Sequence, residues 1–244
     1  MSWTSKPDYF SLGGSNGLKL QSSDENASAQ EYDAQNEKGD IVATEVYGET
    51  ASPTCTYVLT SDATLSGIKM GEASAYSTSG KYYTINNITV NTAAAQAPTV
   101  TVTGMLVPSD GNCSSCYYNA PSTTIEMCHH AQDLFGLGVS SQLGSNNYLT
   151  QANYTIEGGL TTATVDGSVV SYDITGGKVT ANVTVQAATS TPNLPGSSVV
   201  DPWKMTSPWT RSDPDAALPT YTATFAYNLS HASAQAQQGT GTGS

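Results

Sequence analysis

Strict alternation of apolar and polar residues dominates the chain. Residues 99–103 (Thr-Val-Thr-Val-Thr), 178–185 (Lys-Val-Thr-Ala-Asn-Val-Thr-Val) and 220–227 (Thr-Tyr-Thr-Ala-Thr-Phe-Ala-Tyr) place an apolar side chain at every second position. That period belongs to half-buried β-strands, whose side chains point alternately to the two faces of a sheet. Runs of the same kind cover 54–60, 82–92 and 153–157. Turn-forming pairs separate them, at Ser79-Gly80, Gly158-Gly159, Asp166-Gly167 and Gly176-Gly177. Short strands punctuated this regularly predict a mainly β protein whose antiparallel sheets form a sandwich or barrel.

One segment breaks the period of two. Thr123 and Glu126 have the spacing of a capping box, in which a hydroxyl and a carboxylate satisfy the first free N–H groups of a helix. Ile125, Cys128, Ala131, Leu134 and Phe135 follow at three- and four-residue steps, and Gly136 stands where a helix would close. This pattern predicts a single flanking α-helix over 123–135.

The chain also resembles itself. Residues 39–49 align without gaps to residues 167–177, on the pattern Gly-x-[Ile/Val]-Val-[Ala/Ser]-x-[Asp/Glu]-[Ile/Val]-x-Gly. A Pro-Thr-x-Thr-x-Thr run occurs at 98–103 and again at 219–224. An internal duplication is therefore expected. The organisation predicted from these signals is an N-terminal arm over 1–38, a first β half over 39–107 and a loop-plus-helix connector over 108–147. A second β half would span 148–227 with an extended loop at 187–218, and a low-complexity tail would run over 228–244.

Composition modifies this picture in two places. Leu, Ile, Val and Phe supply only 40 of 244 residues, a shortage that leans towards disorder. Yet only 11% of residues are charged, and 33 Thr and 14 Tyr favour a pleated surface. A folded β protein with a thin core follows. The net charge of −12, from 8 Lys+Arg against 20 Asp+Glu, argues against binding nucleic acid through its phosphates. No run of apolar residues is long enough for a membrane-spanning helix, and the first residues lack the apolar stretch of a secretory leader.

Candidate chemistry is sparse. Cys113, Cys116 and Cys128 with His129 are the one set resembling metal ligands, since two thiolates, a third Cys and a His can complete a tetrahedral zinc shell. A Cys113–Cys116 disulfide and free buried thiols are the alternatives, and no other cofactor is expected. The three histidines, with no nucleophile elbow and no paired carboxylates, argue against an enzyme. Residues 201–215 carry two Pro-Trp pairs and the sole arginine. Trp203, Trp209 and Arg211 are candidate interface anchors, the alternative being that the indoles cover their own core.

The run over 167–185 and the segment 124–135 carry a resemblance to the tail-tube proteins of tailed bacteriophages. Such proteins pair two antiparallel sheets with one helix and stack as rings around a lumen. The resemblance implies a virion structural subunit assembled in the host cytoplasm. Its partners would be further copies of itself in stacked rings and other virion proteins, with no sequence-specific nucleic-acid binding and no membrane. An acidic lumen would pass DNA without holding it. A capsid-decoration or fibre-type virion protein, and a bacterial surface or adhesion module, fit the same composition.

Overall fold

The computed structural model describes residues 6–14, 17–75, 80–108, 117–188, 192–196, 200–213 and 217–230. Four long strands, β1 (Leu18–Gln35), β2 (Ile41–Leu59), β10 (Asn147–Val165) and β11 (Ser168–Ala187), form two long hairpins. Shorter strands β6 (Tyr82–Ala93), β7 (Thr99–Val107), β12 (Lys204–Ser212) and β13 (Thr220–Asn228) form two short ones. These eight make one continuous antiparallel path in the order β1-β2-β7-β6-β10-β11-β13-β12. Small strands β4 (Lys69–Met70), β5 (Ala73–Ala75) and β8 (Tyr118–Asn119) extend this sheet, and β3 (Ala63–Thr64) pairs with β9 (Thr124–Ile125) in a separate two-stranded sheet. A single helical turn, α1 (Val139–Gln142), precedes β10. The mainly β, antiparallel, sandwich-like fold expected from the alternation is what the chain adopts.

Two equivalent four-strand units tile this path, β1-β2-β7-β6 and β10-β11-β13-β12. Their registers match. Thr54 faces Thr103 and Val58 faces Thr99 in the first unit, while Asn182 faces Thr224 and Gln186 faces Thr220 in the second. Bulges in the first long hairpin, at Leu20/Ser22, Ser28/Gln30 and Ala34/Gln35, have counterparts at Leu149/Gln151, Glu157/Gly159 and Ala163/Thr164. The aligned glycines explain why. Gly39 and Gly167 take positive φ at the hairpin turns, and Gly48 and Gly176 take it at the middle bulge, a conformation that costs a side-chain-bearing residue. Even the backbone bonds that close each unit agree, Leu59 N–H donating to the Pro98 carbonyl and Ala187 N–H to that of Pro219. The units join where β6 pairs with β10, Asn87 facing Glu157 and Ala93 facing Gln151.

Both units contribute to one core, which includes Tyr57, Val90, Val100 and Val102 from the first and Tyr154, Val183, Val185 and Phe225 from the second. Val and Thr alternate along β7, so one face of that strand feeds the core and the other remains half-buried.

Three expectations from the sequence need correction. No helix spans 123–135: Thr124 and Ile125 form β9 against β3, and 126–135 is irregular. The N–H groups that a helix would satisfy internally are bonded elsewhere. Glu126 N–H donates to the Gln132 side chain, Gln132 N–H to Thr92 Oγ1, and Leu134 N–H to the Tyr154 hydroxyl. Phe135 and Gly136 then take left-handed φ in succession and turn the chain towards α1. The supposed N-terminal arm contains strand β1, and Tyr9 and Phe10 ahead of it lie in the core. The supposed loop 187–218 contains β12, where Pro208 is tolerated because β12 ends the path and is bulged between Ser207 and Thr210.

Candidate functional site

The two long hairpins share register and bulges but have different surroundings. The far half of the second hairpin lies back across the first unit. Its turn glycine, Gly167, sits so close to Gly48 of β2 that a Cβ added there would come within 3.0 Å of the Gly48 Cα. Tyr172 and Leu160 pack with Val107, Met105 and Tyr82, and Ile174 is fully buried in the main core. Ser168 and Val169 form one wall of a groove of 320 Å³ whose other residues, including Lys81, Tyr82, Leu106 and Val107, belong to the first unit.

The far half of the first hairpin has no such cover among the described residues. Val46, the counterpart of buried Ile174, is 66% exposed, and Tyr32, Ile41 and Val42 are exposed with it. A Cβ added at Gly39 or Gly176 would meet nothing within 4 Å, although their counterparts Gly167 and Gly48 touch. This hairpin is acidic, carrying Glu31, Asp33, Glu37, Asp40 and Glu45 against one Lys38. A two-stranded ribbon without a third strand or a packed face is marginally stable in water.

The sheet edges complete this surface. β1 pairs only with β2, and β12 only with β13, among the described residues. Unpaired strand edges are templates for further β pairing. Glu25 on β1 is held from the core side, its carboxylate accepting from the Tyr9 and Tyr83 hydroxyls at 3.3 and 2.7 Å. Burial and this acceptor both push the Tyr83 hydroxyl well above its ordinary range. Likewise Tyr57 donates to Asp8 at 2.5 Å, and burial is the main reason its ionisation is suppressed.

The tryptophans expected as interface anchors turn inward. Trp203 is 2% exposed, its Nε1 donating to the Phe135 carbonyl at 3.0 Å. Its ring packs edge-on to Tyr227, with centroids 4.6 Å apart, and to Tyr154 at 6.5 Å. Of the two alternatives for Trp203, cover of its own core holds and the interface role is overturned. Trp209 is half-buried, donating to the Pro195 carbonyl and lying edge-on to Phe225. Arg211 is exposed, paired with Asp213 at 2.7 Å and placed over the Tyr221 ring.

The metal-like set is only partly brought together. Cys113 and Cys116 lie outside the described residues. Cys128 gathers with Glu126 and His130, one ligand atom from each lying within 4.8 Å of the others, and His129 is not in that group. Adjacent residues point apart, so Cys128 and His130, two positions apart in an irregular loop, converge instead. Thiolate, imidazole and carboxylate are a donor set that suits zinc. Cys55 is a buried free thiol in β2, and desolvation raises its ionisation above the ordinary range. Sequence reasoning grouped Cys128 with His129 and missed Glu126 and His130, because the irregular course of 126–130 that brings these three together has no spacing signature.

The described residues contain no helix long and apolar enough to cross a membrane. No protein-family model matches the chain, and no curated protein matches its sequence.

Proposed function

We propose that this chain is a structural subunit that self-assembles through its sheet edges and first hairpin, as a virion protein of the tail-tube kind. The observation that carries the reading is the inequality of two equivalent hairpins. One rests on the chain's own first unit, which buries Tyr172 and Ile174 although Val165 and Val170 near its turn stay exposed. The other leaves Tyr32, Ile41, Val42 and Val46 all exposed beside strand β1, which has no outer partner among the described residues. Exposed apolar groups and open edges are liabilities unless another surface covers them.

Electrostatics supports the same reading. A −12 subunit repels phosphate, which suits a wall lining a path for DNA. The function in this reading is mechanical rather than catalytic. In this reading the protein resides in the virion tail after assembly in the host cytoplasm, alongside other virion proteins.

Sedimentation and negative-stain imaging of the purified protein test it. Rings or tubes that dissociate on dilution are the expected result. Compact oligomers without a lumen would favour a decoration protein, and isolated particles at all concentrations would contradict assembly.

A further inference from the structure

We propose that the first hairpin docks on the second unit of another copy of this chain, repeating between chains the contact that the second hairpin makes within one. This inference rests on the self-assembly part of the reading above and adds the two surfaces and their register.

The template is the β6–β10 junction. Within the chain, the last strand of the first unit pairs antiparallel with the first strand of the second, Thr89 facing Thr155 and Val90 facing Tyr154. The matching edges at the two ends of the path are β12 and β1, neither of which has an outer partner among the described residues. Transferring the register through the aligned bulges sets Thr210 of one copy opposite Asn26 of the next. It also sets Arg211 opposite Glu25, where Val90 faces Tyr154 in the internal junction. Opposite charges directly across a strand pair are favourable. The contact is head-to-tail, joining different surfaces of two identical chains.

The hairpin's landing site is also present. Inside the chain, Ser168 and Val169 close a groove on the first unit. On the second unit the counterpart groove, 380 Å³, is lined by Lys178, Asp201, Lys204, Ala226, Tyr227 and Asn228, with no residue from the turn of either long hairpin of its own chain in its lining. The residues equivalent to Ser168 and Val169 are Asp40 and Ile41. An acidic hairpin would therefore enter a groove carrying two lysines. Gly39 would come to Gly176 as Gly167 comes to Gly48, and both glycines of that unused pair have open space in front of them. The interchain contact replaces the apolar packing of Tyr172 and Leu160 with polar and charged groups, since Thr44 and Glu31 stand at the equivalent positions. Charge pairing of this kind favours a specific and salt-sensitive association.

The test pairs cysteines across the inferred register. Asn26→Cys and Thr210→Cys in one chain are expected to give, on mild oxidation, a ladder of covalent oligomers. Each single variant alone should give none beyond the background of the native thiols, and a mixture of the two single variants should stop at the dimer. Independently, K178E with K204E is expected to weaken association by about tenfold or more at low salt. Asp40→Lys with Glu45→Lys should restore it. Normal assembly with no ladder and no response to charge reversal overturns this contact while leaving assembly standing. A monomer at every concentration overturns both, and a circular dichroism spectrum matching the parent excludes misfolding of the variants.

Discussion

Hairpin β1/β2 and hairpin β10/β11 are the same construction in two environments. Their bulges fall at equivalent positions, and their turn and bulge glycines share left-handed φ. What differs is what lies underneath. The second hairpin has the first unit to lie on, and its Ile174 is fully buried, whereas the first hairpin extends past the last strand that supports it and leaves Val46 exposed. Local sequence and turn geometry thus determine the shape of each ribbon, while its stability depends on position in the path. An eight-strand path built from two units has one internal junction and two open ends. The first hairpin belongs to an open end.

Both units share one core, and Trp203 is the strongest test of that. Its indole fixes the irregular 126–137 segment to the second unit through Phe135, Tyr154 and Tyr227. Trp203→Ala is expected to cost about 3–5 kcal/mol in the isolated subunit, read by denaturant unfolding. A variant that unfolds like the parent but fails to assemble would return this residue to an interface.

The next largest contrast is between counterparts. Ile174→Ala should cost about 2–5 kcal/mol of subunit stability, because the side chain is enclosed. Val46→Ala should stay within about 0.5 kcal/mol in the dilute subunit, as exposed positions do, and lower the tendency to associate. Equal losses at both positions would mean that the first hairpin is covered within its own chain.

A smaller effect separates the turn glycines. Gly39→Ala and Gly167→Ala both meet the cost of a left-handed backbone, about 1–2 kcal/mol. Only at Gly167 does the new Cβ also crowd Gly48, adding about 1–3 kcal/mol. Melting temperatures of the two variants at low concentration measure the difference, and identical values would contradict the close approach.

Much of this architecture was legible in the sequence, and the failures have physical causes. Alternation along 99–103, 178–185 and 220–227 placed β7, the supported half of β11 and β13. The aligned glycines at 39, 48, 167 and 176 pointed to a repeat that the registers display strand by strand. Strand β1 was not legible, because much of an end strand faces water and shows no apolar period. The 123–135 segment mimicked a helix because its apolar residues do face inward, but its N–H groups are met by Gln132, Thr92 and Tyr154, partners that spacing cannot reveal. For the candidate site, composition identified Trp203 as costly to expose, and only the fold shows what covers it. The pairing of a bare acidic hairpin with a lysine-bearing groove was invisible until both units could be superposed in register.

Hydrogen exchange on the two hairpins tests the central claim most directly. Residues 28–47 and 157–175 have the same ladder of backbone hydrogen bonds, so intrinsic ribbon geometry predicts equal protection. In the dilute subunit, 28–47 should exchange much faster than 157–175, since local opening is governed by packing against neighbouring structure. On assembly, exchange over 28–47 should slow to the level of its counterpart while 157–175 stays unchanged. Equal protection of the two hairpins in the monomer, or no change over 28–47 in the assembled protein, would contradict the account.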